Sequence, residues 1–270
     1  MASVIEVGNW LLPLLYLALL VDYGATFFLR KRIRVRSPWL AVVVAVHAVW
    51  IALVTVRLGH PPVTDSREIL TVLAIALAGV YAWVEAAGRD RRTGVFVLLL
   101  VFIFQYTSSI LTAGHAAAPP GEAAVPSMWA RAHVVPALVA YTATALAGVY
   151  GILYLAAQRS LRQHRFGVLF DRLPPLDLVG PMVWHALVTG FACLTATIAV
   201  APLLVGGPHG DPITAKVVAK IVTGCVAWAV YAAAILGRWL GRWSTARISA
   251  IAVAGFLAVM ALLIASGLLS

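Results

Sequence analysis

Charge is what this chain has least of: 11% of its 270 residues are Asp, Glu, Lys or Arg, against 62% that are hydrophobic. A water-soluble core cannot hide that much apolar surface at this length, whereas lipid removes the need to hide it, so a soluble globular fold is excluded. Acid is scarcer still, with ten acidic residues against twenty basic ones and a formal net charge of +10. In a soluble chain that balance would point to nucleic acid; in a membrane chain it is read loop by loop, and no nucleic-acid partner is expected. Cysteine is almost missing. Cys193 and Cys225 both fall inside apolar runs, without the spacing of a metal ligand set, which excludes a disulfide framework and a cysteine-based zinc site. There is no fixed-period repeat and no low-complexity tract, and the opening MASVIEVGNW carries Glu6 but no basic run, unlike a cleaved signal peptide.

What is present is a series of eight apolar runs, at 9–29, 38–58, 69–87, 94–114, 129–157, 181–205, 213–240 and 246–269. Each reaches the roughly 20 residues that a helix needs to cross hydrocarbon. The expected fold is therefore all-α: one integral membrane domain over residues 1–270, a bundle of eight transmembrane helices. The connectors 30–37, 88–93, 158–178 and 238–247 hold fifteen of the twenty basic residues and the alternate set holds five. That asymmetry puts the first set in the cytoplasm and both termini outside it, in a cytoplasmic (inner) membrane of bacterial type. The connector QRSLRQHRFGVLFDRLPPLDLVG begins as a basic surface helix and breaks at Pro174 and Pro175, because proline lacks the donor that a continuing helix needs.

The histidines carry the chemistry. His47 stands among thirteen otherwise apolar residues, VVVAVHAVWIALV, nine residues past Pro38; at the helical rise that is about 13–14 Å into the membrane. His185, in PMVWHALVTGF, sits about 7 Å deep from the same side, and His133, in WARAHVVPALVAY, is equally shallow on the opposite side. His60, His115 and His209 fall in outer connectors and His164 in an inner one. A histidine in hydrocarbon is expected to be neutral, with one donor nitrogen and one lone pair. Two such rings from different helices can clamp the iron of a haem b, with Arg or Lys at the rim taking its propionates. His47 with His185 is the favoured pair. His133, with His209 or His115, would hold a second haem at the outer surface, with Arg57, Arg131, Lys216 and Lys220 as propionate partners. The plainer alternative is that His47 hydrogen-bonds a Ser, Thr or Tyr on a neighbouring helix, and that Lys216 and Lys220 only reach for the interface. Asp22 and Glu85, near the inner ends of the first and third runs, are expected to pair with the arginines at 30–36 and 89–92.

Helix 2 and its following loop, HAVWIALVTVRLGHPPVTDSREIL, resemble the cytochrome c assembly superfamily of CcsA, HemX and YpjD-like proteins, with His47, Arg57, Gly59, Pro62 and Glu68 in the family's places. The block from Ala132 to Thr195 is similar to that family's centre through His133, Tyr141, Gly151, Tyr154, the run 173–176, Gly190 and Thr195. Asp211, Lys216, Trp228, Tyr231 and Arg238 fit its final portion. The resemblance implies haem handling, in which haem is held or moved in the membrane for attachment to apocytochrome c, with apocytochrome or a membrane subunit as partner. Where the family's synthetases carry a tryptophan-rich outer loop this chain has VGGPHGDP, and Leu236 stands where they carry a histidine. Those departures bring it closer to the HemX and YpjD branch, and imply haem binding or delivery without a complete synthetase. The other reading is a non-catalytic subunit or regulator that has lost haem and docks partners through residues 161–177.

Overall fold

A chain this apolar leaves its backbone one economical solution in lipid, which is to satisfy every N–H and C=O within a helix. The computed structural model describes residues 2–29, 38–88, 90–113, 128–164, 167–204 and 215–268. They form α1 (Ala2–Phe28), α2 (Pro38–Leu58), α3 (Ser66–Gly88), α4 (Gly94–Ala113), α5 (Met128–Arg162), α6 (Val168–Arg172), α7 (Leu176–Val200), a 3-10 turn (Ala201–Leu203), α8 (Ala215–Trp239) and α9 (Thr245–Leu268), with no strand among the described residues. Seven of these helices, α1 to α5, α7 and α8, are long and apolar enough to cross a membrane. In α9 the stretch Thr245–Met260 is a shorter apolar helix.

The ends differ from the expected ones for local reasons. The anticipated break at Pro174 and Pro175 is there, but α7 starts directly after it, five residues before Pro181. Pro181 lies early enough that its missing N–H costs the helix a single bond, to the carbonyl of Asp177. The basic surface helix is divided: α5 runs on to Arg162 and α6 is a separate short piece.

The chain falls into two compact units, Met1–Val125 and Pro126–Ser270. In the first, α1 packs on α2 and α4, and α3 packs on α2 and α4, so four helices close a ring. Its interior is filled by Leu12, Tyr16, Leu19, Leu73, Leu77, Tyr81, Leu98 and Val101, all buried. In the second, α5 is the central helix, packed on α7 and α9, with α8 against both of those.

Small residues let α5 approach its neighbours closely, as is usual where lipid offers no hydrophobic drive between helices. A Cβ on Gly151 would lie 2.9 Å from the Ser249 carbonyl oxygen, and one on Gly190 would lie 3.1 Å from the Thr144 methyl. Because the obstruction at Gly151 is backbone, Gly151→Val must push α9 away. It is expected to cost about 1–3 kcal/mol, seen as earlier thermal unfolding in detergent, whereas a valine at the open position Gly224 should not.

Candidate functional site

His47 in the first unit has no exposed surface, and neither have Tyr16 and Gln105 beside it. Its Nδ1 is 2.9 Å from the Tyr16 hydroxyl and its Nε2 is 3.0 Å from Thr71 Oγ1. The direction of every bond follows from one fixed acceptor, the backbone carbonyl of Asn9, which cannot donate. Ser109 Oγ must therefore donate to it (2.7 Å), and so must accept from Gln105 Nε2 (3.2 Å). That turns Gln105 Oε1 towards Thr71, whose hydroxyl donates to it at 2.7 Å and is left only to accept from the histidine. His47 is thus the Nε2–H tautomer, and its Nδ1 accepts the Tyr16 proton. The Asn9 side chain closes the far end by donating to the Ser109 carbonyl at 3.1 Å.

This chain of bonds links α1, α2, α3 and α4 through the middle of their ring. It answers for the histidine in full: both ring nitrogens are taken, and ligation of a metal by His47 would require Tyr16 to be displaced. Tyr16→Phe leaves the Nδ1 lone pair without a donor and is expected to lower the unit's stability by about 1 kcal/mol in a thermal or denaturant titration.

A second polar group occupies the other end of this unit. Arg91, in the α3–α4 connection, is buried with its Nη2 3.0 Å from Asp22 and its Nε 3.7 Å from Glu85. Its guanidinium lies 3.9 Å over the Tyr23 ring, and Tyr23 donates to Glu85 at 2.5 Å. Burial works to lower the pKa of Arg91, and the contacts with Tyr23, Asp22 and Glu85 outweigh it, so the shift is upward and the charge is kept. Of the two basic runs expected to pair with Asp22 and Glu85, 89–92 does so through Arg91, and 30–36 lies outside the described residues.

In the second unit His133, half-buried in the first turns of α5, has its Nδ1 3.0 Å from the Thr197 carbonyl oxygen near the C-terminus of α7. A carbonyl only accepts, so Nδ1 carries the hydrogen and Nε2 keeps a lone pair, with no hydrogen-bond partner among the described residues. The same carbonyl also accepts from the backbone N–H of Ala201, so its two lone pairs are used. Donation of one ring N–H to a backbone carbonyl is the arrangement that orients a metal-ligating histidine. On the face of α7 turned away from Thr197, an apolar groove of about 440 Å³ runs between α7 and α8, lined by Thr195, Ile198, Ala199, Cys225, Trp228 and Ala229. Trp228 forms one wall, fixed by donation to Thr195 Oγ1 at 2.9 Å and by stacking on Phe191.

His185 is exposed on α7, twelve residues before Thr197. That separation is about 18 Å along the helix, far beyond what two axial ligands of one iron allow. His133 and His185 are therefore not brought together, and His47 has its partners inside its own unit. No group of three or more His, Cys, Asp or Glu side chains able to hold a metal occurs among the described residues. Arg131 is exposed two residues before His133, and Arg57 is half-buried in the last turn of α2. His115 and His209 lie outside the described residues, as do the side chains of Lys216 and Lys220.

Sequence reasoning passed over Tyr16, Thr71, Gln105 and Thr197. Tyr16, Thr71 and Gln105 were visible as isolated polar residues in apolar runs, but a backbone carbonyl leaves no trace in a sequence. His60, read from sequence only as a connector residue, is 3% exposed, its Nδ1 is 2.9 Å from the Pro61 carbonyl, and its buried Nε2 has no hydrogen-bond partner among the described residues. The family model described as Cytochrome C assembly protein matches residues 14–270. No curated protein and no solved structure matches the chain.

Proposed function

The chain belongs to the cytochrome c assembly protein family, and from that premise we propose that it is a haem-holding or haem-relaying membrane protein of cytochrome c biogenesis that grips iron through His133. The observation that carries the reading is the bond from His133 Nδ1 to the Thr197 carbonyl, which leaves an oriented Nε2 lone pair. Neutral imidazole with a free lone pair is the donor that haem iron takes, so the residue present fits the group. His209, in the connection between α7 and α8, is the second ligand in this proposal, and Arg131 and Lys216 are the propionate partners. Bound haem would supply the iron porphyrin that is passed to apocytochrome c or to a partner subunit.

Within the same proposal the chain crosses a bacterial-type cytoplasmic membrane eight times with both termini outside, as the fifteen-to-five division of basic residues implies. The second reading, a docking subunit that has lost haem, draws its support from His47, whose ring is fully accounted for by packing.

Titrating the purified full-length protein in detergent with haemin separates the two readings. Haem handling predicts a saturable, equimolar complex with a shifted Soret band. Binding no stronger than that of empty micelles favours the docking subunit.

A further inference from the structure

At one end of the second unit, α8 turns into α9 through GRWLGRWSTAR, residues 237–247, which holds three arginines and two tryptophans but no acid. The turn is built rather than slack. Gly241 adopts φ +66°, its N–H bonds the Arg238 carbonyl at 2.9 Å, and the N–H groups of Arg242 and Trp243 both reach the Gly237 carbonyl at 3.1 Å. This is the left-handed glycine stop of a helix, and it leaves a fixed direction for the residues that follow. Trp243 then lies flat against Gly237, where a Cβ would meet its ring.

The arginines are exposed and held apart from carboxylates. Arg238 donates to Thr245 Oγ1 at 3.0 Å and lies 5.5 Å over the Trp184 ring, and Arg247 lies 5.5 Å over Trp243. The Arg242 side chain has no hydrogen-bonding or ionic partner among the described residues. Asp177 is three residues from Gly180, whose Cβ position is 3.3 Å from the Thr245 methyl, yet it forms no ion pair with any of the three. Around them, Trp239 is 74% exposed and Leu240 69% exposed.

Uncompensated guanidinium beside exposed tryptophan and leucine is the chemistry of a membrane–water boundary: the rings and the leucine enter the acyl region while the cations stay at headgroup level. Guanidinium matches a phosphodiester through paired hydrogen bonds. We propose that the α8–α9 turn is a binding site for the phosphate of an anionic phospholipid, with Arg242 and Arg247 as its principal contacts and Arg238 completing it. The alternative source of the same chemistry is free phosphate.

Native mass spectrometry of the full-length protein from mixed micelles of phosphatidylglycerol and phosphatidylcholine reads the site directly. A basic residue at an anionic surface raises binding about fivefold, so the double variant Arg242→Gln, Arg247→Gln should lose retained phosphatidylglycerol by about 25-fold, with helicity unchanged by circular dichroism. The double variant Arg242→Lys, Arg247→Lys keeps the charge, and should retain most of the lipid even if the Gln variant folds poorly. Equal retention of phosphatidylglycerol and phosphatidylcholine by the unaltered protein overturns the proposal. So does a folded Gln variant that retains the lipid unchanged. Displacement of phosphatidylglycerol by millimolar inorganic phosphate assigns the turn to a soluble anion and overturns the lipid.

Discussion

Replacing His47 by alanine is expected to lower the stability of the α1–α4 unit by about 2–4 kcal/mol while leaving its haem-binding behaviour that of the unaltered protein. The stability loss has two parts. Removing the ring opens space among side chains that have no exposed surface. It also strips the acceptor from the Tyr16 hydroxyl and the donor from Thr71 Oγ1, both of which are buried. The bonds beyond Thr71 do not depend on His47, since Thr71 still donates to Gln105 and the run to the Asn9 carbonyl persists. The variant should therefore remain helical and melt several degrees lower in detergent. The double variant His47→Ala, Tyr16→Phe should recover part of the loss, because it removes the orphaned hydroxyl together with its partner.

The variant expected to lose haem is His133→Ala. With the imidazole gone no nitrogen projects from that position of α5, and the Thr197 carbonyl still has the Ala201 N–H, so the end of α7 is held without it. Haemin affinity should fall by at least about tenfold, the lower figure for disturbing even the outer shell of a metal ligand. Millimolar imidazole should restore the Soret band, because the small molecule replaces the missing donor. A purely structural role for His133 predicts no such rescue. His209→Ala should produce a partial form of the same defect, with the spectrum moving from six-coordinate low-spin towards five-coordinate.

Much of the fold could be read from apolar run length alone, because hydrocarbon imposes a length requirement that composition reveals. The stop at Pro174 and Pro175 was legible for the same kind of reason, since proline acts locally. The division into two units was not, because hydropathy says that a helix is surrounded by apolar groups and not whether they are lipid or another helix. The pairing of Asp22 and Glu85 with a nearby basic run was anticipated, as unpaired charge at that depth is too costly to leave.

His47 shows the opposite case. Its ring is buried, yet its partners Tyr16 and Thr71 are 31 and 24 residues away, and nothing local says that they face it. Depth made His47 look like the ligand. Hydrogen bonds occupy both nitrogens of His47, so the proposal of a ligand rests on His133, whose Nδ1 is held by a backbone carbonyl.

The visible absorption spectrum of the protein as purified from haem-replete cells, recorded beside those of His47→Ala and His133→Ala, tests this assignment most directly. A Soret band with resolved reduced α and β bands in the unaltered protein and in His47→Ala, and its loss in His133→Ala, is the predicted pattern. A band that survives in His133→Ala and vanishes in His47→Ala would contradict the account.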